Sequence, residues 1–173
     1  MELRFVSPDL ARLDEIDSEV LVCSAWEDVR PTHGVAGLCD FRLAGRISSL
    51  QRRGLVTGRL GERVMIPGKP KLRFEKVILV GAGPKSAFDE ATFESLVGSV
   101  LQIMEDLLSR ACVIELPGRQ NDLIPPERAA DILLASAGRR PEHDVWTLVE
   151  HAAARERVTQ HMIEEKRRVR RLF

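Results

Sequence analysis

Two short apolar runs constrain this chain more than any other feature: Glu19–Ala25 (EVLVCSA) and Lys76–Gly81 (KVILVG). Neither alternates apolar with polar residues, and both are too short for a buried helix, so they read as strands covered on both faces. Arg63–Pro67 (RVMIP), Ala111–Leu116 (ACVIEL) and Asp144–Val149 (DVWTLV) repeat the pattern. Leu3–Ser7 is a shorter stretch closed by Pro8, which cannot donate to a ladder. Between these six strands the apolar spacing becomes helical. Gly37–Arg53 spaces Leu38, Phe41, Leu43, Ile47 and Leu50 as one helix, with Gly54 as a left-handed cap. Asp89–Arg110 carries a wide stripe from Phe93 to Leu108, with Asp89 as its N-cap. Pro125 and Pro126 open a further helix that Gly138 closes, and Ala152–Phe173 is a mostly polar last one.

Strands alternating with helices predict an α/β fold: three α/β/α layers around a mixed, mainly parallel six-stranded sheet. The sheet is mixed because some consecutive strands are separated by a short loop alone, such as the Gly68-Lys69-Pro70-Lys71 stretch. At 173 residues and 44% apolar content the chain has one core of ordinary size. The division expected is a domain over 1–150 and a C-terminal helix over 151–173.

Charge and cysteines narrow the partners and the compartment. Lys plus Arg number 26 and Asp plus Glu number 26, leaving no net basic charge for wholesale binding to nucleic acid or anionic membrane. Cys23, Cys39 and Cys112 are widely spaced, as buried thiols in a reducing compartment would be. No run approaches the roughly 18 apolar residues of a membrane helix, and the start lacks a signal-peptide pattern. A cytoplasmic chain with a natural start at Met1 is expected.

Enzyme constellations are not visible. Among His33, His143, His151 and His161 there is no HExxH pair, and no Cys–His set has zinc spacing, so neither a metal nor a cofactor is expected. His151 and His161 read as solvated positions on the last helix. Most carboxylates sit beside basic residues on helix faces, which marks solvated surface.

Two glycine loops and a basic tail remain. Gly34, Val35, Ala36 and Gly37 lie between a buried strand and a helix, where exposed amides can hold a phosphate. Gly81, Ala82 and Gly83 follow the KVILV run at the carboxyl edge, where α/β sheets bind ligands, although Pro84 and Lys85 break the GxGxxG pattern. The plain alternative is that both are strand-to-helix turns. Lys166, Arg167, Arg168, Arg170 and Arg171 put five cations in six residues. From Ala152 onward seven basic and three acidic residues leave a surplus of four. These cations are candidates for an acidic partner or nucleic acid, or are simply favourable charges at a helix C-terminus.

Three further segments carry a resemblance. They are Gly45-Arg46-Ile47-Ser48-Ser49-Leu50, Arg53-Gly54-Leu55-Val56-Thr57-Gly58-Arg59-Leu60-Gly61 and Lys76-Val77-Ile78-Leu79-Val80-Gly81-Ala82-Gly83. In this order, before a long helix, they resemble the N-terminal domain of leucyl (cytosol) aminopeptidases. The resemblance implies a macro-domain-like fold over about Glu2 to Val149, followed by a helix in the place of that family's inter-domain linker. It also implies that the two-metal peptidase domain is absent, since its Asn-Thr-Asp-Ala-Glu-Gly-Arg signature does not occur; no catalytic residue carries over.

The macro-domain likeness bears on the first glycine loop. His33-Gly34-Val35-Ala36-Gly37 resembles the Gly-Gly-Gly-Val-Ala passage that lines ADP-ribose, but His33 replaces a glycine, and Cys23-Ser24-Ala25-Trp26 replaces an Asn-Ala-Ala-Asn stretch. The function expected is a non-catalytic module for protein assembly or regulation, through a protein partner or self-association. The alternatives are binding of ADP-ribose or another nucleotide at the glycine loops, and nucleic-acid contact through the basic helix.

Overall fold

A computed structural model describes residues 1–170, with side chains through Arg168. The strands are β1 (Glu2–Val6), β2 (Val20–Ala25), β3 (Arg63–Pro67), β4 (Lys76–Gly81), β5 (Ala111–Ile114) and β6 (Val145–Val149). They form one sheet in the order β1-β6-β5-β2-β4-β3, in which only β3 runs antiparallel to its neighbour. The helices are α1 (Leu10–Glu15), α2 (Gly34–Arg42), α3 (Arg46–Arg52), α4 (Glu90–Asp106), α5 (Pro126–Ala137) and α6 (Ala152–Arg170). The mixed, mainly parallel six-stranded sheet is therefore as expected.

The continuous apolar runs are explained by a core on each face. Val20, Val22, Ile78 and Val80 point to one face, under Phe93, Val97 and Met104 of α4 and Leu133 of α5. Leu21, Cys23, Val77 and Leu79 point to the other, under Leu13 of α1, Val35 and Cys39 of α2 and Ile47 of α3. All three cysteines are free and buried. Asp89 caps α4 by accepting the Thr92 amide at 2.8 Å.

The helix expected over Gly37–Arg53 is two helices. Ala44 (φ +55) and Gly45 (φ +78) turn the chain left-handed between them. Gly45 has no side chain with which to cap α3, so Asp40 of α2 does so, accepting the Ser48 amide at 3.0 Å. The break is thus a built corner that lets Val35, Cys39 and Ile47 all reach the same core. Helix α1 was not anticipated. Its six residues bury only Leu13, too little for a periodic signal, although Asp9 caps it by accepting the Arg12 amide at 2.9 Å.

Helix α6 docks on α5 and runs parallel to it. Arg157 binds Glu127 through two bonds of 2.7 and 2.9 Å, and one turn later His161 Nε2 lies 2.9 Å from Asp131. Ala154 and Val158 are buried beneath. His161, expected as a solvated residue, instead fastens this helix. The carboxylate that holds it is 30 positions away in the sequence. Lys166, Arg167 and Arg168 are exposed past this contact. The Arg170 side chain and the whole of Arg171 lie outside the described residues.

Candidate functional site

The five parallel strands deliver the residues that follow them to one edge. Neighbouring strands β2 and β5 then send the chain to opposite faces: β2 leads to α2 on one, β5 to α5 on the other. Divergence of this kind opens a crevice at the carboxyl ends of the two strands, the usual ligand position of an open α/β sheet.

Here the chain's own side chains occupy that crevice. Glu115 continues β5 by one residue, its amide donating to Val22 O at 3.1 Å. Its side chain, 6% exposed, points at the start of α2, where the Val35 amide donates to both carboxylate oxygens at 3.3 and 3.2 Å. A helix N-terminus attracts negative charge through its free amides and dipole. Burial raises the Glu115 pKa to about 7, against the pull of the Val35 amide and with a push from nearby Glu150. Gln120 closes the crevice from above. A methyl group on Gly34 (φ +61) would lie 1.8 Å from Gln120 Oε1 and 2.7 Å from both Glu115 oxygens.

On the opposite face the filler is aromatic. Phe88 packs edge-on against Trp26, just beyond β2, with ring centroids 5.3 Å apart. It also lies over Gly118, beyond β5, where an added methyl would meet the ring at 2.7 Å. Ser24 Oγ and Trp26 Nε1 are buried without a hydrogen-bond partner among the described residues.

A buried ion pair holds the loop that closes the crevice. Arg119 donates to Glu150 through Nε (2.7 Å) and Nη2 (3.2 Å), and through Nη1 to Ile124 O at 2.6 Å. The side chains are 3% and 6% exposed. This planar, two-bond pairing ties residues 116–124 to the end of β6.

The seven glycine-loop residues expected at a ligand site divide between two places. Gly34, Val35, Ala36 and Gly37 lie at the crevice, with Val35 and Ala36 fully buried. The Val35 amide faces Glu115, and the Gly37 amide is used within the helix start, donating to His33 O at 3.2 Å. Gly81, Ala82 and Gly83 lie at the end of β4, on the far side of β2. Their amides donate to Glu62 O, Ala25 O and Gly58 O at 2.7, 2.9 and 2.9 Å. A methyl on Gly81 would stand 1.9 Å from Arg59 O. Lys166, Arg167 and Arg168 of α6 join neither place, since α6 is fastened to α5.

Glu115, Arg119 and Glu150 were missed in the sequence, where carboxylates were assigned to solvated faces. The signal was available: Glu115 and Glu150 each stand at the end of an apolar strand, where the next side chain is delivered to a covered edge.

The comparisons with known proteins agree with this architecture. Residues 24–139 match the model for the cytosol aminopeptidase family, N-terminal domain. The chain belongs to that family. A probable cytosol aminopeptidase of Halorhodospira halophila is 29% identical over 126 residues, 71% of this chain but 24% of the relative. The cytosol aminopeptidase of Pseudomonas aeruginosa is 27% identical over 105 residues, 61% of this chain and 21% of the relative. The chain thus matches about a quarter of its relatives' length.

Solved structures show the macro-domain fold. A Trypanosoma brucei macrodomain in complex with ADP superposes with a TM-score of 0.69 at 15% identity, covering 92% of this chain and 67% of that one. The macrodomain of Mycobacterium tuberculosis DarG gives 0.66 at 16%, covering 86% and 98%. A mutant tomato leucine aminopeptidase gives 0.62 at 14%, covering 94% of this chain and 35% of the enzyme. No helix among the described residues is long and apolar enough to cross a membrane.

Proposed function

We propose that this domain is a non-catalytic module that acts in protein assembly or regulation. The carrying observation is the filled crevice. At the fold's ligand position the Glu115 carboxyl group occupies the α2 N-terminus, and Phe88 takes the place of a flat ring against Trp26. A scaffold occupied by its own side chains offers its outer surface instead, and the exposed cations Lys166, Arg167 and Arg168 are one part of that surface.

A second reading rests on Ser24 Oγ and Trp26 Nε1, two buried polar atoms without a partner among the described residues. Displacement of Phe88 from Trp26 and Gly118 would open the crevice to a nucleotide such as ADP-ribose, with Gly34–Gly37 at its α2 side. A thermal-shift screen against ADP-ribose, other nucleotides, divalent metals and short duplex DNA separates the readings. Ligand at ~100 times its dissociation constant adds about 2.7 kcal/mol, a shift of several degrees for a chain of this size. The assembly reading expects a flat response. A selective shift with ADP-ribose overturns it, and a shift with DNA that vanishes on removal of residues 166–173 moves the function to the basic helix. Hydrolysis of a leucine amide by the manganese-loaded protein would contradict the non-catalytic assignment.

A further inference from the structure

The helical layer over α4 and α5 stops short of the edge strand β3. Met65 stands opposite Ile78 and points to the same face as that core residue, yet it is 59% exposed. Between β3 and α4 lies a groove made of two adjoining hollows, of about 410 and 220 Å³, that share Arg63 in their walls. Its α4 wall is the stripe Ser95, Gly98, Ser99, Gln102 and Asp106, whose three- and four-residue steps place it along one line of the helix.

Two properties of this groove identify its occupant. It carries both a projection and a recess: Leu60 (57% exposed) and Met65 stand out from the β3 side, while on the α4 side Ser95, Gly98 and Ser99 leave a recess beside Leu96 and Gln102, with nothing within 4 Å of a methyl placed on Gly98. It also carries both signs of charge. Arg140 also lines it but is paired with Glu105 at 2.8 Å, whereas Arg63 and Asp106 form no ion pair among the described residues, the Asp106 carboxylate accepting the Gln102 side-chain amide at 2.9 Å. A two-fold interface needs one patch that complements itself. A patch with its own projection, recess, cation and anion meets that requirement, whereas an unrelated partner has no need of both halves. Pairing of β3 as an added strand is disfavoured, because Pro67 lacks the amide such a ladder needs.

We infer that a second copy of this chain docks in the β3–α4 groove about a two-fold axis. Leu60 and Met65 of each copy enter over Ser95, Gly98 and Ser99 of the other, and Arg63 of each faces Asp106 of the other. The inference rests on the assembly reading and names its partner.

Sedimentation velocity of the whole chain across the micromolar range tests it. A concentration-dependent dimer is expected. Met65→Glu, Arg63→Asp and Asp106→Arg each raise the dissociation constant by about tenfold or more, and the Arg63→Asp/Asp106→Arg exchange restores it to within about threefold of the parent. These positions are exposed, and a thermal melt of each variant checks that the fold is kept. A monomer at every concentration overturns the inference. So does a dimer indifferent to these changes, or one lost only when residues 166–173 are removed. The assembly reading fails by a different result, a selective ADP-ribose shift, so the two failures are distinct.

Discussion

Replacement of Glu115 by glutamine tests the filled crevice most directly. The carboxyl group is buried beside Glu150, and its pKa in the folded chain is raised from an ordinary 4.5 to about 7. Between those values the folded state keeps a proton that the unfolded chain has released. Stability from this group is therefore full below about pH 4.5, falls as pH rises, and is lost above about 7. At ~1.4 kcal/mol per pH unit, the whole loss is about 3 kcal/mol. Glutamine is nearly isosteric, keeps an oxygen for the Val35 amide, and does not ionise. Glu115→Gln should match the parent near pH 5 and exceed it by about 2–3 kcal/mol at pH 8, a melting difference of roughly 5–10 °C. Urea or thermal unfolding of both proteins between pH 5 and 8.5 gives the comparison, and because other groups titrate equally in both, the difference between the curves is the quantity to read. Parallel curves would refute the reasoning, since a carboxylate not buried at the α2 N-terminus would show no such divergence.

Other changes test other parts. Arg119→Ala leaves the Glu150 carboxyl group unpaired in the interior and should cost about 3–5 kcal/mol. Arg119→Lys should recover little of it, because an ammonium cannot reproduce the two-bond geometry; near-parental stability of either variant in urea would refute the ion-pair account. Gly81→Ala forces a methyl against Arg59 O at 1.9 Å and should destabilise by at least ~3 kcal/mol, as overpacking against backbone does; an unchanged denaturation midpoint would show that the β4 turn is looser than described. Leu108 ends α4 at φ +54 and is 91% exposed, so Leu108→Gly should stabilise by about 1 kcal/mol in thermal melts, and a loss of stability would count against that strain.

Strands were the most legible part of the fold. Val20 to Cys23 and Val77 to Val80 are apolar at every position because alternate residues serve two different cores. The α2–α3 corner was hidden because Leu43, Ile47 and Leu50 keep four- and three-residue steps across it, and Ala44 gives no sign that it turns left-handed. The glycine loops were readable as turns, but the partners of their amides were not. Whether Val35 faces a ligand or Glu115 depends on a contact 80 residues distant in sequence. Arg119–Glu150 and His161–Asp131 were equally invisible, each joining residues about thirty positions apart on different elements.

The crevice is closed by two segments that meet only in the folded chain: Phe88 ahead of α4, and the Glu115–Gln120 stretch beyond β5. In evolutionary terms this makes the closed state a ratchet. A substitution that removes the ring leaves the carboxylate at the helix start, and one that removes the carboxylate leaves the ring on Trp26. Either single step leaves the other filler in place and uncovers core that was covered. On the assembly reading proposed above, a chain that keeps both fillers in place acts through its outer surface.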